Sequence, residues 1–426
     1  MGCLPQSRQL APFMSTSRRI GIVTTWLDRG GGYVARQYLS ALDSVHAVYI
    51  YARGGDYDST GEPFWALPHV TRAPHYSGPI ATWIDRSHFF AWIETNRIEI
   101  VLFNEQIWWP PVQWCNDLGV ITAAYVDYYT ERTVPLFGLY DLLVCNTTRH
   151  YSVFRWHPSC HYVPWGTDTE IFRPRSVNLA DPDFITFFHS SGMNPRRKGT
   201  DLVLRAFSKV SGPARLVLHA QLDLRRAMPH LRGTMSRLAG EKRLRVITQT
   251  VSPPGLYSLG DVYVYPSRLD GIGLTIAEAM ACGLPVITCA HPPMNEFVNS
   301  SNGRLVPVKK LYRRRDGYYW EQCEVDVAAL SREMQCFIDD VTRLTRMKRS
   351  ARAYAEDKLN WKHNGAGLSG IFGAVAKRVR ESGPDLERLI EEVNAAQCRR
   401  LSCIVSSASP WLYAVLRRGR KSLFAA

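Results

Sequence analysis

No apolar run in this chain approaches the roughly 18–20 residues that a helix needs to cross a bilayer, so a membrane-spanning chain is not expected. Its opening, "MGCLPQ", lacks the basic, apolar and small-residue succession of a secretory signal. Gln6 also stands where a myristoylation pattern requires Ser or Thr. Ten cysteines run from Cys3 to Cys403 without one C-x-x-C pair. In an unexported chain they read as reduced thiols serving as small apolar residues, and the expected location is the cytoplasm. There is no repeat at solenoid periods and no extended low-complexity tract. Acids are in short supply: 38 Asp and Glu face 52 Lys and Arg, a net charge of +14. That excess favours anionic partners (nucleic acid, phosphorylated small molecules or acidic lipid), and composition alone does not choose among them.

What is present is a folded chain with 46% apolar and 21% charged residues, and 426 residues are too many for one ordinary core. Short apolar runs alternate with helix-compatible segments. "IGIVTT" precedes "GGG" (30–32) and a helix-like stretch with Val34, Tyr38 and Leu42 on one face. "AVYIYA", "IEIVLFN", "VITAAYV" and "DLLVCN" follow as strands. The polar, proline-bearing "FRPRSVNLADPDF" (172–184) reads as a linker, after which the alternation restarts at "FITFFHS" and continues through "RLVLHA", "RLRVIT", "VYVYPS" and "PVITCA". The expectation is an α/β protein of two Rossmann-like domains, 1–177 and 178–362, facing each other across a cleft.

The chemistry concentrates in "SRLDGIGLTIAEAMACGLPVI" (267–287), a strand–loop–helix pattern closed by Gly283 and Pro285. From Ile272 to Ile287 Glu278 is the lone exception among apolar, small or hydroxyl-bearing residues, and Asp270 lies eight positions upstream, with Gly271, Ile272, Gly273 and Leu274 between them. The glycines let the backbone approach a ligand at a helix entrance that favours anions such as phosphate. Two carboxylates beside it are acceptors suited to the vicinal hydroxyls of a sugar or ribose. A plain alternative is that Glu278 only complements the helix dipole. Against it, an apolar helix is a costly place for an unpaired charge. "NPRRKG" (194–199) is a second loop of the same kind, where Arg196, Arg197 and Lys198 would meet a phosphate at a helix N-terminus, or simply form a basic loop.

The 267–287 segment resembles the signature of glycosyltransferase family 4, retaining enzymes of GT-B fold, in which an acid, seven residues and a Glu enclose a Gly-x-Gly-Leu turn before "EAMACGxPVI". The resemblance implies that Asp270 contacts the transferred sugar and Glu278 holds the nucleotide ribose, with Asp in place of the family's Glu at 270. "SSGMNPRRKGTDLVLRAFSKV" is similar to the family's Gly-Arg-Leu, spacer, Lys-Gly-x-Asp segment. It implies Lys198 on the donor diphosphate, with Met193 where the family has Arg and Arg196 or Arg197 as the substitute cation. "HYVPWGTDTEIFRP" resembles the end of the family's first domain. "NWKHNGAGL" resembles its late Trp segment, which implies a helix crossing back over 363–385 and leaves 386–426 as a basic extension. "TTWLDRGGGYVARQYL" is similar to the family's glycine-rich loop, implying that Gly31 and Gly32 close over diphosphate or acceptor. "AAYVDYYT" has Val126 where the family often has His, leaving Asp127 as the site residue.

The function these residues imply is a retaining glycosyltransferase using a UDP- or GDP-sugar as donor substrate, with no cofactor and no metal. The "DPD" at 181–183 is read as a decoy in the linker. The acceptor is expected to be a glycan or lipid-linked precursor, as in building cell-surface polysaccharide. An NADP-dependent oxidoreductase is the alternative, since Gly30, Gly32 and Ala35 satisfy G-x-G-x-x-A and Arg53 ends the second strand. A non-enzymatic basic module is a third reading, but it leaves the acid pair unexplained. Two basic segments stand apart: "KKLYRRRDGYYW" (309–320), read as a surface insertion, and the acid-free tail from Gln397. The tail is either solvated charge or a patch for an anionic membrane surface, which would make the protein peripheral on the inner face. No nucleic-acid partner is expected.

Overall fold

The computed structural model describes residues 16–54, 64–76, 80–175, 183–379 and 384–398. Seven strands form the first sheet: β1 (Arg19–Thr24), β2 (Ala47–Ala52), β3 (Val70–Arg72), β4 (Ile100–Asn104), β5 (Ile121–Tyr125), β6 (Leu142–Cys145) and β7 (Cys160–Tyr162). All pair in parallel in the order β3-β2-β1-β4-β5-β6-β7. The central strands are buried on both faces, which is why they read as unbroken apolar runs.

The second sheet repeats the plan with β8 (Ile185–Ser190), β9 (Ala214–Ala220), β10 (Leu244–Thr248), β11 (Val262–Tyr265), β12 (Val286–Cys289) and β13 (Gly303–Val306). Its order, β10-β9-β8-β11-β12-β13, is again parallel throughout. The protein is thus an α/β chain of two Rossmann-like domains, the GT-B architecture. The boundary expected at 177/178 lies outside the described residues, as does most of "DPD".

Three expectations need correction. The segment 309–320 is not a free surface insertion. It comprises most of the first strand and the tip of an antiparallel hairpin, β14 (Val308–Tyr312) and β15 (Gln322–Val325), that crosses to the first domain. There Tyr318 bridges Thr130, Tyr128 stacks on Tyr318 with ring centroids 5.3 Å apart, and the Tyr319 amide donates to the Tyr129 carbonyl at 2.9 Å. Aromatic side chains interspersed with the charges supply that contact.

Nor does one helix span 363–385. Short helices Trp361–Asn364 and Leu368–Ala374 precede an extended stretch in which Lys377 and Arg378 bond Asp141 of the first domain. Trp361 donates to the Gln37 carbonyl at 2.7 Å. Finally, 386–398 is not part of a basic extension: it carries Glu387, Glu391 and Glu392 against Arg388, and helix Pro384–Cys398 packs Ile390 and Val393 into the first domain's core. The basic residues from Arg399 onward lie outside the described residues. Among the described residues no helix is long and apolar enough to cross a membrane.

Candidate active site

The strand ends of both sheets open onto one cleft of about 450 Å³ lined by both domains. Asp270, Gly271, Ile272, Leu274, Glu278, Arg197 and Lys198 line it from the second domain, and Asp127 from the first. Residues far apart in sequence meet there because strand C-terminal ends are where open α/β sheets place their loops.

Asp270 lies in the loop between β11 and helix Leu274–Ala281 and is buried. Its Oδ2 accepts from Lys198 Nζ at 2.6 Å and from the Tyr265 hydroxyl, and its Oδ1 accepts from the Gly273 amide at 3.3 Å. Burial works against its charge, yet Lys198, Arg197 and these hydrogen bonds hold the carboxyl well below its usual range. Burial lowers the Lys198 ammonium, and Asp270 opposes that. Asp270 is therefore ionised at neutral pH.

Gly273 caps helix Leu274–Ala281 with φ of +80°, a conformation that favours glycine. Glu278 lies one turn inside that helix, turned toward the cleft, and accepts from the Tyr257 hydroxyl at 2.5 Å. Burial pushes its carboxyl up to about 7, against the pull of Tyr257 and Lys198. Phe172, Phe188, Leu256 and Tyr257 form an apolar wall beside it. That end of the cleft suits a planar base with its ribose at the carboxylate, and the end at Lys198 suits phosphates.

Loop 194–199 separates its two arginines. Arg197 lines the cleft, whereas Arg196 is exposed away from it. Arg268 fixes the loop: its Nη1 donates to the Arg196 carbonyl and to Asp201 Oδ1, both at 2.6 Å, and its Nη2 bonds Glu324 of β15 at 2.9 Å.

From the first domain, Asp127 leans on the glycine turn so closely that a Cβ at Gly271 would lie 2.0 Å from its Oδ1. That oxygen is buried and has no hydrogen-bond partner among the described residues. Burial and the Glu105 carboxylate push Asp127 well above its usual range, with Arg149 opposing.

Gly31 and Gly32 do not line the cleft; Gly30 does. All three form the first turn of helix Gly30–Leu42, not a loop. A Cβ on Gly32 would meet the Leu27 carbonyl at 2.2 Å, and one on Gly31 would meet Glu105 Oε2 at 3.0 Å. Their smallness serves close packing. Gly273 likewise sits behind the cleft as the helix cap.

Glu105, Arg29 and Tyr257 line the cleft and were not anticipated. Glu105 directly follows the buried strand β4, apolar from Ile100 to Phe103 and ending at Asn104, and an acid just past a buried parallel strand is the signal that could have found it. Arg53 directly follows β2 but is consumed by the Asn104 and Glu105 carbonyls and by Gln106, at 2.8–3.0 Å. It is not free for a 2′-phosphate, and the oxidoreductase alternative finds no support. Among the described residues no group of three or more His, Cys, Asp or Glu stands where it could hold a metal.

Residues 185–313 match the family model described as glycosyl transferases group 1. The chain is 27% identical over 277 residues to D-inositol 3-phosphate glycosyltransferase 1 of Catenulispora acidiphila, covering 58% of this chain and 56% of that protein. It is 25% identical over 283 residues to a GDP-mannose-dependent alpha-(1-6)-phosphatidylinositol monomannoside mannosyltransferase of Mycolicibacterium smegmatis, covering 60% and 63%. The match thus spans less than two thirds of either relative's length. In fold, the chain is similar to sucrose-phosphate synthase of Thermosynechococcus elongatus, with TM-score 0.65 at 19% identity over 83% of this chain and 98% of that one. It is also similar to Anabaena HepE, solved with UDP and glucose, with TM-score 0.66 at 14% identity over 84% and 100%.

Proposed function

We propose that this chain, whose fold is GT-B and whose residues 185–313 match the glycosyl transferases group 1 model, is a family 4 type glycosyltransferase that transfers a sugar, with retention of anomeric configuration, from a UDP- or GDP-sugar to a glycan or lipid-linked acceptor. One observation carries the reading: Lys198, Arg197, Asp270 and Glu278 converge on one wall of a cleft whose opposite wall presents Asp127 and Glu105.

In this reading the donor base lies along Phe188 and Tyr257, and Glu278 accepts hydrogen bonds from the ribose hydroxyls. Arg197 and Lys198 meet the diphosphate, and Asp270 accepts from a hydroxyl of the transferred sugar. As the bond from the anomeric carbon to the diphosphate breaks, negative charge grows on the leaving oxygen. Fixed cations and backbone dipoles stabilise it with little reorganisation. The acceptor oxygen bonds to the anomeric carbon from the same face and passes its proton to the leaving phosphate. No carboxylate of this chain is assigned as a nucleophile. Asp127 and Glu105 line the acceptor side.

The basic excess of +14 and the phosphatidylinositol substrate in one relative's name support a lipid-linked acceptor and a protein peripheral on an anionic membrane face. Vesicle pelleting tests that point: the protein should sediment with anionic vesicles and stay with the supernatant of neutral ones.

The reading is tested by a thermal-shift panel of UDP-, GDP-, ADP- and CMP-sugars, because only a bound ligand raises the midpoint. NMR of the product of the stabilising donor then reads the anomer. A UDP- or GDP-sugar should stabilise, and the product should keep the donor's configuration. Inversion would refute retention, and silence from every donor would refute the transferase.

A further inference from the structure

We propose that the second domain carries, at the edge of its sheet opposite the cleft, a separate binding site for a ligand with clustered phosphates. The strands β8, β9, β10, β11 and β12 run parallel, so their ends serve the cleft and their starts share the far edge. At that far edge lies a groove of about 770 Å³, larger than the cleft. It is within the roughly 300–1,000 Å³ typical of small-molecule sites.

The charge of the groove is one-sided. Nine basic side chains line it against only two acids, Asp261 and Glu356. Both acids are already neutralised: Lys348 bonds Asp261 at 2.6 Å and Arg352 bonds Glu356 at 2.7 Å. Arg352 also donates to the Thr169, Phe172 and Ala281 carbonyls, a structural task that explains its presence. Arg243 is similarly engaged with backbone carbonyls and Glu241.

Nothing of that kind explains Arg173, Arg175, Lys242, Arg245 and Arg349. All five are exposed and have no ion-pair partner among the described residues. They come from the end of the first domain, the turn before β10, β10 itself and helix Val341–Lys358, so the fold gathers them from distant sequence. Gathered like charges repel one another unless an anion joins them. The guanidinium forks are matched to phosphate oxygens. The reaction cleft has the opposite balance, with Arg29, Arg197 and Lys198 facing five carboxylates. The groove is therefore a stronger focus for anions than the cleft. Leu216, Leu259 and Leu284 give it an apolar floor, which admits a phosphate-bearing ligand with an organic body.

Clustered phosphates reach such a groove from a free polyphosphorylated molecule or from phospholipid headgroups, and two probes separate these sources. Full-length protein is titrated calorimetrically with inorganic tripolyphosphate and, separately, pelleted with phosphatidylglycerol vesicles against phosphatidylcholine controls. The variant Arg245→Glu/Arg349→Glu should bind tripolyphosphate at least about tenfold more weakly if the ligand is free, or vesicles correspondingly less if it is a headgroup. Lys242→Gln/Arg175→Gln, which reverses no charge, should show the same trend at smaller size. Lys198→Ala should leave the groove's tripolyphosphate binding intact, because that lysine belongs to the cleft. Wild-type binding of both probes by both groove variants would overturn the proposal, and so would wild-type protein that binds neither. Loss of all tripolyphosphate binding in Lys198→Ala would place the anion in the cleft and overturn it as well. Preference for an RNA oligonucleotide over both probes would do the same.

Discussion

Asp270 and Glu278 belong to one loop–helix unit, yet their surroundings drive them in opposite directions. Lys198 and Tyr265 bond Asp270 directly and keep it ionised, whereas Glu278 has only a tyrosine hydroxyl and burial raises it to about 7. A raised acid binds its proton more tightly in the folded than in the unfolded state. Stability is therefore fully present below about 4.5 and declines as pH rises through about 7. Glu278→Gln keeps an acceptor for Tyr257 and removes the titration. Its melting temperature should match wild type at the acid end and exceed it above pH 7; coincident curves across the range would contradict the burial argument.

Lys198→Ala should lower turnover by about a hundredfold or more, the scale of losing one preorganised stabiliser of developing charge. Steady-state rates with a cognate donor test it, and wild-type turnover would remove Lys198 from the diphosphate. At this scale the acid pair was legible because a lone carboxylate in an apolar helix is conspicuous. The choice between Arg196 and Arg197 was not, since adjacent loop residues point apart only once Arg268 fixes the Arg196 carbonyl. Tyr257 and Tyr265 looked like core aromatics, and only their hydroxyls reach the carboxylates.

Among elements, the β14–β15 hairpin links the chemistry of the two domains. It grows from the second domain, and the Tyr318 hydroxyl donates to the Asp127 carbonyl at 3.2 Å while Trp320 Nε1 donates to the Tyr129 hydroxyl at 2.6 Å. Asp127 is thus positioned partly by the other domain. The double variant Tyr318→Ala/Trp320→Ala should cut turnover about tenfold or more by displacing that segment, with nucleotide affinity nearly unchanged. Equal loss of both parameters would mean that the hairpin supports the second domain instead. Its charges suggested a solvated insertion, because a sequence displays charge directly but not the partner its interleaved tyrosines meet. The glycine run misled for a related reason. Consecutive glycines resemble a loop, but here they open a helix, and at Gly32 the Leu27 carbonyl leaves no room for a Cβ.

Over the whole molecule, two parallel sheets point their strand ends at one another, an arrangement the alternation of apolar runs made legible. The contacts that hold the domains were less so. Arg149 reaches from the first domain to the Asp270 carbonyl at 2.7 Å and to the Pro292 carbonyl at 2.8 Å, while Glu296 accepts from the Thr148 and Arg149 amides at 2.7 and 3.0 Å. These bonds close the cleft over Asp270, and each joins residues more than a hundred positions apart. Arg149→Ala should shift the protein toward an open form with a radius of gyration measurably above the roughly 22 Å of a compact chain this long. Small-angle scattering reads that change, and an identical profile would show that the clamp is dispensable.

The most direct test of the account is calorimetric titration of UDP and GDP into wild-type protein and Glu278→Gln, at a pH above the 7 or so at which Glu278 ionises. One nucleotide should bind the wild type and bind the variant at least about tenfold more weakly, the scale of charge-assisted hydrogen bonds to ribose. Absence of binding by both nucleotides, or equal affinity for the two proteins, would contradict it.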